Sequence, residues 1–137
     1  MAVFVPDASV SLVWCFADEA TPYTEALLDR LIGGEEGAVP PHWPLEILNG
    51  LIQAKRRGRV ADPIVRKFVS RLISFRIVVD SDSGLSHLNA IQELAERHRL
   101  TSYDAAYLEL AIRLRLPLAT FDGALRQAAL AENVPLL

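Results

Sequence analysis

Three short apolar runs, AVFV at residues 2–5, RIVV at 76–79 and PLAT at 117–120, are separated by longer stretches whose apolar residues recur at helical spacing. Runs this short fit strands, and strands that alternate with helices imply a parallel, doubly wound α/β sheet. The helical stretches read as SVSLVWCFA (9–17), PYTEALLDRLI closed by Gly33 and Gly34, LEILNGLIQAKRRGRV (45–60) and DPIVRKFVSRLISF (62–75). They continue as LSHLNAIQELAERHR (85–99), SYDAAYLELAIRLR (102–115) and GALRQAALAE (123–132), with VPLL left at the end. GAVPPHWP (37–44) has room for a short strand at most, because Pro40, Pro41 and Pro44 restrict it. No repeat or low-complexity linker divides the chain, and 137 residues, 51% of them apolar, can build one core. The expectation is a single domain over residues 1–137.

Cys15 is the only cysteine, which excludes an internal disulfide and any multi-cysteine metal site. His42, His87 and His98 lack zinc spacing. The N-terminus has no basic leader, and no apolar stretch approaches the roughly 18–20 residues of a bilayer span, so the chain reads as soluble and cytoplasmic, with no membrane partner. Its net charge of −3 hides an asymmetry: Lys55, Arg56, Arg57, Arg59, Arg66, Lys67, Arg71 and Arg76 face only Asp62 in that segment, a local +7. Such a segment is either a pair of solvated helix faces or a surface for phosphates.

Four acids stand out by position. Asp7 ends the first strand and Asp122 follows the last, so both lie at strand carboxyl ends, where open α/β sheets build their ligand crevice. Asp104 falls in the first turn of one helix. Glu46 begins a polar stripe with Asn49, Gln53 and Arg56 on another helix, whose apolar residues Leu45, Leu48, Leu51 and Ile52 are expected on a separate face. Each acid also has a structural use: the aspartates as helix caps or first-turn charges, the glutamate as a solvated residue. Asp7 has no basic residue before Arg30. Converging carboxylates repel and raise one another's pKa, a problem that a bound divalent cation removes, and oxygen donors suit Mg²⁺ or Mn²⁺.

With these residues in order (the strand ending in DAS, the E-x-x-N of LEILNGL, the helix start TSYDAAYLELA and the turn LATFDGAL), the whole chain resembles a PIN-domain ribonuclease of the VapC toxin type. The resemblance implies a PIN-like α/β fold, a central parallel β-sheet flanked by helices, and a catalytic metal-binding quartet of Asp7, Glu46, Asp104 and Asp122 supported by Asn49 and Thr120. It implies a Mg²⁺- or Mn²⁺-dependent endoribonuclease, in which the ion counters charge on the phosphate and activates water for attack at phosphorus. Arg56, Arg57 and Arg59 are candidates for holding the RNA backbone beside the acids. Tyr103 and Tyr107, one turn apart, are candidates for base stacking or for packing.

The resemblance further implies a cognate VapB-like antitoxin and a homodimer. Trp14, Phe16 and the apolar face of YTEALLDRLI are groove candidates for the antitoxin, with plain core the favoured reading of each; aliphatic residues of the last two helices are dimer candidates that serve equally as core. A phospho-acceptor receiver domain would need a late lysine, whereas the only lysines are Lys55 and Lys67. A non-catalytic PIN-like RNA- or protein-binding module is the remaining alternative, its signature being metal binding without cleavage.

Overall fold

The computed structural model describes residues 1–82 and 84–137. Strand β1 (Ala2–Pro6) leads to α1 (Ala8–Val13), a 3₁₀ turn and α2 (Pro22–Ile32); β2 (Glu36–Val39) leads to α3 (Trp43–Arg56) and α4 (Asp62–Ser74). Strand β3 (Ile77–Val79) is followed by a second 3₁₀ turn, α5 (Leu88–His98) and α6 (Ser102–Leu114), and β4 (Leu118–Ala119) by α7 (Gly123–Ala131). All strand pairs are parallel, in the order β3-β2-β1-β4. The expected α/β architecture is therefore present: a central four-stranded parallel sheet with helices flanking it.

Period-two alternation in β1 sends successive side chains to opposite faces of the sheet. Phe4 joins Val10, Leu27, Leu31 and Ala119 on one side. Val5 joins the larger cluster on the other side, with Val39, Leu51, Leu108, Leu118 and Leu125. The C-terminal VPLL is not a loose tail: Leu136 bridges Leu118 in parallel at the β4 edge. Gly37 pairs with Ile77, so the proline-limited segment supplies an interior strand whose ladder ends at Val39, before Pro40.

Two expectations about helices change. The helix expected over 9–17 ends at Val13, where the amides of Cys15 and Phe16 turn to the i−3 carbonyls of Leu12 and Val13 (3.0 Å each). Tertiary packing stops it: Trp14 donates its indole N–H to the Thr24 carbonyl (3.0 Å), and Phe16 is buried with the Arg59 guanidinium 4.3 Å above its ring. On α3 the buried residues are Trp43, Ile47, Leu51 and Ala54, while Leu45 (69% exposed), Leu48 and Ile52 face outward. Phe68 is the buried residue of α4, and Val65, Val69 and Leu72 pack partly against the core.

α1 also packs against α3, and Gly50 permits the approach. A Cβ placed there would lie 2.6 Å from Cδ1 of Leu12. Asp7 caps α1 and α3 carries Glu46, so this contact joins the two helices that bear them. Gly50→Val pushes the end of the Leu12 side chain aside and should cost about 1 kcal/mol, the low end for overpacking, measured by urea denaturation; unaltered stability would mean that Leu12 swings clear without cost.

Candidate active site

The chain reversals at the carboxyl ends of β1, β2 and β4 open on one edge of the sheet, and α6 brings its N-terminus to the same edge. Because β1 lies between β2 and β4, Asp7 stands between the segments that carry Glu46 and Asp122. The Asp7 amide donates to the Ala119 carbonyl (3.0 Å), which ties the two strand ends together.

Asp7 is 4% exposed and fully engaged. One carboxylate oxygen accepts from Ser9 Oγ (2.6 Å) and the Val10 amide (3.1 Å), capping α1; the other accepts from Thr120 Oγ1. Thr120 Oγ1 in turn accepts from the Asp122 amide (3.0 Å), and Ser9 Oγ accepts from the Phe121 amide (3.1 Å). The hydroxyls of Ser9 and Thr120 thus lock the β1 end to the β4 end. Burial pushes the Asp7 pKa above its ordinary 3.8 despite these hydrogen bonds, and the charge of Glu46 adds to the rise. Asp122 caps α7 by accepting the Leu125 amide (2.8 Å). Both aspartates are therefore caps as well as members of the acidic group.

Glu46 is held from two sides. Its Oε1 accepts from the Tyr107 hydroxyl (2.9 Å) and lies 3.0 Å from Nε2 of His42, one turn earlier. Burial works to raise its pKa, but the hydrogen bonds from His42 and Tyr107, with the His42 charge, bring it below 4.5. Tyr107 is 1% exposed, and burial together with the nearby Glu46 pushes its hydroxyl pKa far up, which keeps it a donor.

Asp104 differs from the others. Its amide is capped by Thr101 Oγ1 (3.1 Å), but among the described residues its carboxylate takes no hydrogen bond. Burial raises its pKa, and so do the charges of Asp122, Glu46 and Asp7, with only His42 opposing them. The other three acids therefore act on Asp104, and among the described residues no lysine or arginine pairs with its carboxylate. Among the described residues no three His, Cys, Asp or Glu side chains are drawn tightly enough together to enclose an ion. The donor chemistry nevertheless fits a hard divalent cation: oxygens only, excess negative charge, and one carboxylate without a partner.

The other expected residues fall in different places. Thr120 is fully buried between Asp7 and Asp122, whereas Asn49 is exposed one turn beyond Glu46. Arg56 lies ten residues along α3 from Glu46, roughly 15 Å, so the basic segment is not immediately beside the acids. Arg59 is occupied by Asp18 (3.4 Å), Glu19 (3.2 Å) and Phe16, and Lys55 and Arg66 both pair with Asp62. Leu27 and Leu31 of α2 are core, as is Phe16, so these antitoxin-groove candidates are used by the chain's own packing, while Ile32 of the same helix is exposed. Sequence reasoning did not single out Ser9, His42 or Arg126, whose Nη1 donates to the Thr120 carbonyl (3.0 Å). Ser9 within DAS was the available signal; the other two depend on tertiary contacts.

The PIN domain family model matches residues 4–130. The chain belongs to the PIN-domain family, a nuclease-type fold whose members are generally metal-dependent nucleases. The crystal structure of PAE2754 from Pyrobaculum aerophilum superposes with a TM-score of 0.72 at 23% identity, covering 93% of this chain and 84% of that one. At that identity the likeness concerns the fold. No curated protein sequence matches the chain. No helix among the described residues is long and apolar enough to cross a membrane.

Proposed function

We propose that residues 1–137 act as one unit, a divalent-metal-dependent endoribonuclease of the VapC toxin type. The supporting observation is Asp104: a half-buried carboxylate without a hydrogen-bond partner, surrounded by acids that raise its pKa. A fold gains nothing from that arrangement unless a cation completes it. Asp7, Glu46, Asp104 and Asp122 would hold Mg²⁺ or Mn²⁺, which when bound counters charge on a phosphate and activates water. Ser9 and Thr120 fix the Asp7 carboxylate, Tyr107 and His42 fix that of Glu46, and Thr101 fixes the helix end that presents Asp104. Asn49, on the helix face next to Glu46, is an orienting group. Arg56 and Arg57, exposed at the far end of α3, would hold the RNA backbone a few nucleotides away.

The toxin reading includes a cognate VapB-like antitoxin. Between α3 and α4 runs an apolar groove of about 340 Å³, lined by Trp43, Ile47, Leu48, Val69, Leu72 and Ile73 among others. It is a better seat for such a segment than α2. The exposed aliphatics Ile112 and Leu114 of α6 and Leu130 of α7 are candidates for a homodimer contact, and the chain is taken to work in the cytoplasm.

The test is cleavage of a panel of structured and single-stranded RNAs by the purified chain, freed of any co-purifying protein, with Mg²⁺ or Mn²⁺ and with chelator. Metal-dependent cutting at defined positions is expected. Metal binding without cutting of any RNA would favour a non-catalytic PIN-like module.

A further inference from the structure

Tyr103 and Tyr107 have separate fates. Tyr107 is in the core with its hydroxyl on Glu46, whereas Tyr103 is 62% exposed. Phe121 is also open to solvent, at 47%. Single exposed aromatics are ordinary. Here each one immediately precedes an acid of the cluster: Tyr103 before Asp104, and Phe121 before Asp122, whose charge acts on Asp104.

Both rings are also braced. Tyr103 has the His42 ring 5.6 Å away, tilted by 52°, and its carbonyl lies 3.0 Å from His42 Nε2. Phe121 meets Tyr23 edge-on at 5.7 Å, and its amide donates to Ser9 Oγ, the hydroxyl that also holds Asp7. Neighbours support each ring while leaving much of it to water, and the backbone at Phe121 is tied into the acidic network.

An acidic cluster repels the phosphate backbone that it must act on. Arg126 lies at the cluster, with its Nη1 donating to the Thr120 carbonyl, but the basic stretch of α3 lies a helix length away. An uncharged source of affinity close to the acids escapes both the repulsion and the distance. An aromatic ring supplies it by stacking on a base, which requires bases free of a duplex and tolerates any sequence. Resting on the nuclease reading above, we propose that Tyr103 and Phe121 are stacking platforms for bases of a single-stranded nucleic acid, on either side of the phosphate presented to the acids. They are specificity determinants for unpaired over paired substrate.

The experiment uses the full chain carrying Asp104→Asn, so that substrate survives, in Mg²⁺. The probes are single-stranded RNA and DNA oligonucleotides of one sequence, with 2-aminopurine at successive positions. Binding is expected to quench 2-aminopurine at positions next to one phosphate. Tyr103→Ala and Phe121→Ala should each abolish the quenching at one position and weaken binding by roughly five-fold to 150-fold, the range for stacking on one aromatic side chain. Tyr103→Phe and Phe121→Tyr, which keep the rings, should bind as the parent does, and the losses should be alike for RNA and DNA. Alanine variants that bind and quench like the parent would overturn the proposal. So would a loss confined to RNA, which would reassign the rings to contacts with the 2′-hydroxyl. Cleavage by the chain with Asp104 intact is scored separately: ring-dependent binding of oligonucleotides that are never cut removes the nuclease reading and keeps the platforms, and cutting with ring-independent affinity does the reverse.

Discussion

Asp104→Asn is expected to lower RNA cleavage by at least roughly a hundredfold, the scale on which loss of one charge-stabilising group in a site acts. It should do so without loosening the fold. The substitution keeps the side chain's shape, and the carboxylate that it replaces takes no hydrogen bond among the described residues. Stability should even rise when no metal is present. Folded Asp104 holds its proton to a pKa above 3.8, so the stability that it contributes is complete below that value and is lost as pH rises through the folded pKa. At neutral pH the ionised group is a cost, and asparagine removes it. The paired measurement, at pH 7, is cleavage rate in Mg²⁺ and thermal midpoint in chelator. Wild-type cutting by the variant would sink the assignment of Asp104, and a large drop in midpoint would show that the residue serves the fold instead.

Metal should restore what the acids cost. Mg²⁺ or Mn²⁺ at a hundred times its dissociation constant should stabilise the folded chain by about 2.7 kcal/mol. With an unfolding entropy of about 2.1 cal/mol/K per residue, that is a rise of ~9 °C in thermal midpoint. The rise should reverse on chelation and shrink sharply in Asp104→Asn. A midpoint indifferent to millimolar Mg²⁺ and Mn²⁺ would remove metal binding from the proposed function, whatever the fold.

The two tests address one physical tension. Asp7 and Asp104 both have raised pKa values, for burial acts on each before any charge does. Burial of Asp7 is offset by three hydrogen-bond donors; Asp104 has none among the described residues. A site that keeps one acid unanswered trades stability for function.

Much of this arrangement is legible in the chain. AVFV, RIVV and PLAT read as strands because short apolar runs bounded by helices have few alternatives, and they form β1, β3 and β4. Asp7 and Asp122 read as strand-end acids and as possible helix caps, and in the structure they are both at once. The inward face of α3 was misjudged. Leu45, Leu48 and Ile52 are as apolar as Ile47, and only the packing of α3 within the fold decides which of them meets water. Nor does SVSLVWCFA announce its early stop: the backbone turns extended at Phe16, while the Trp14 indole reaches a carbonyl ten residues ahead.

The order of strands and helices, the identity of the acids and their places at chain reversals follow from the sequence, because they depend on neighbours within a few residues. The meeting of residues 7, 46, 104 and 122 was decided by tertiary structure, since it requires β1 to lie between β2 and β4. So was the difference between Tyr103 and Tyr107: one helix carries both, and the sheet beneath it buries only the second. Burial and proximity across long sequence separations set the pKa of each acid and the exposure of each ring, and neither quantity is local to the chain.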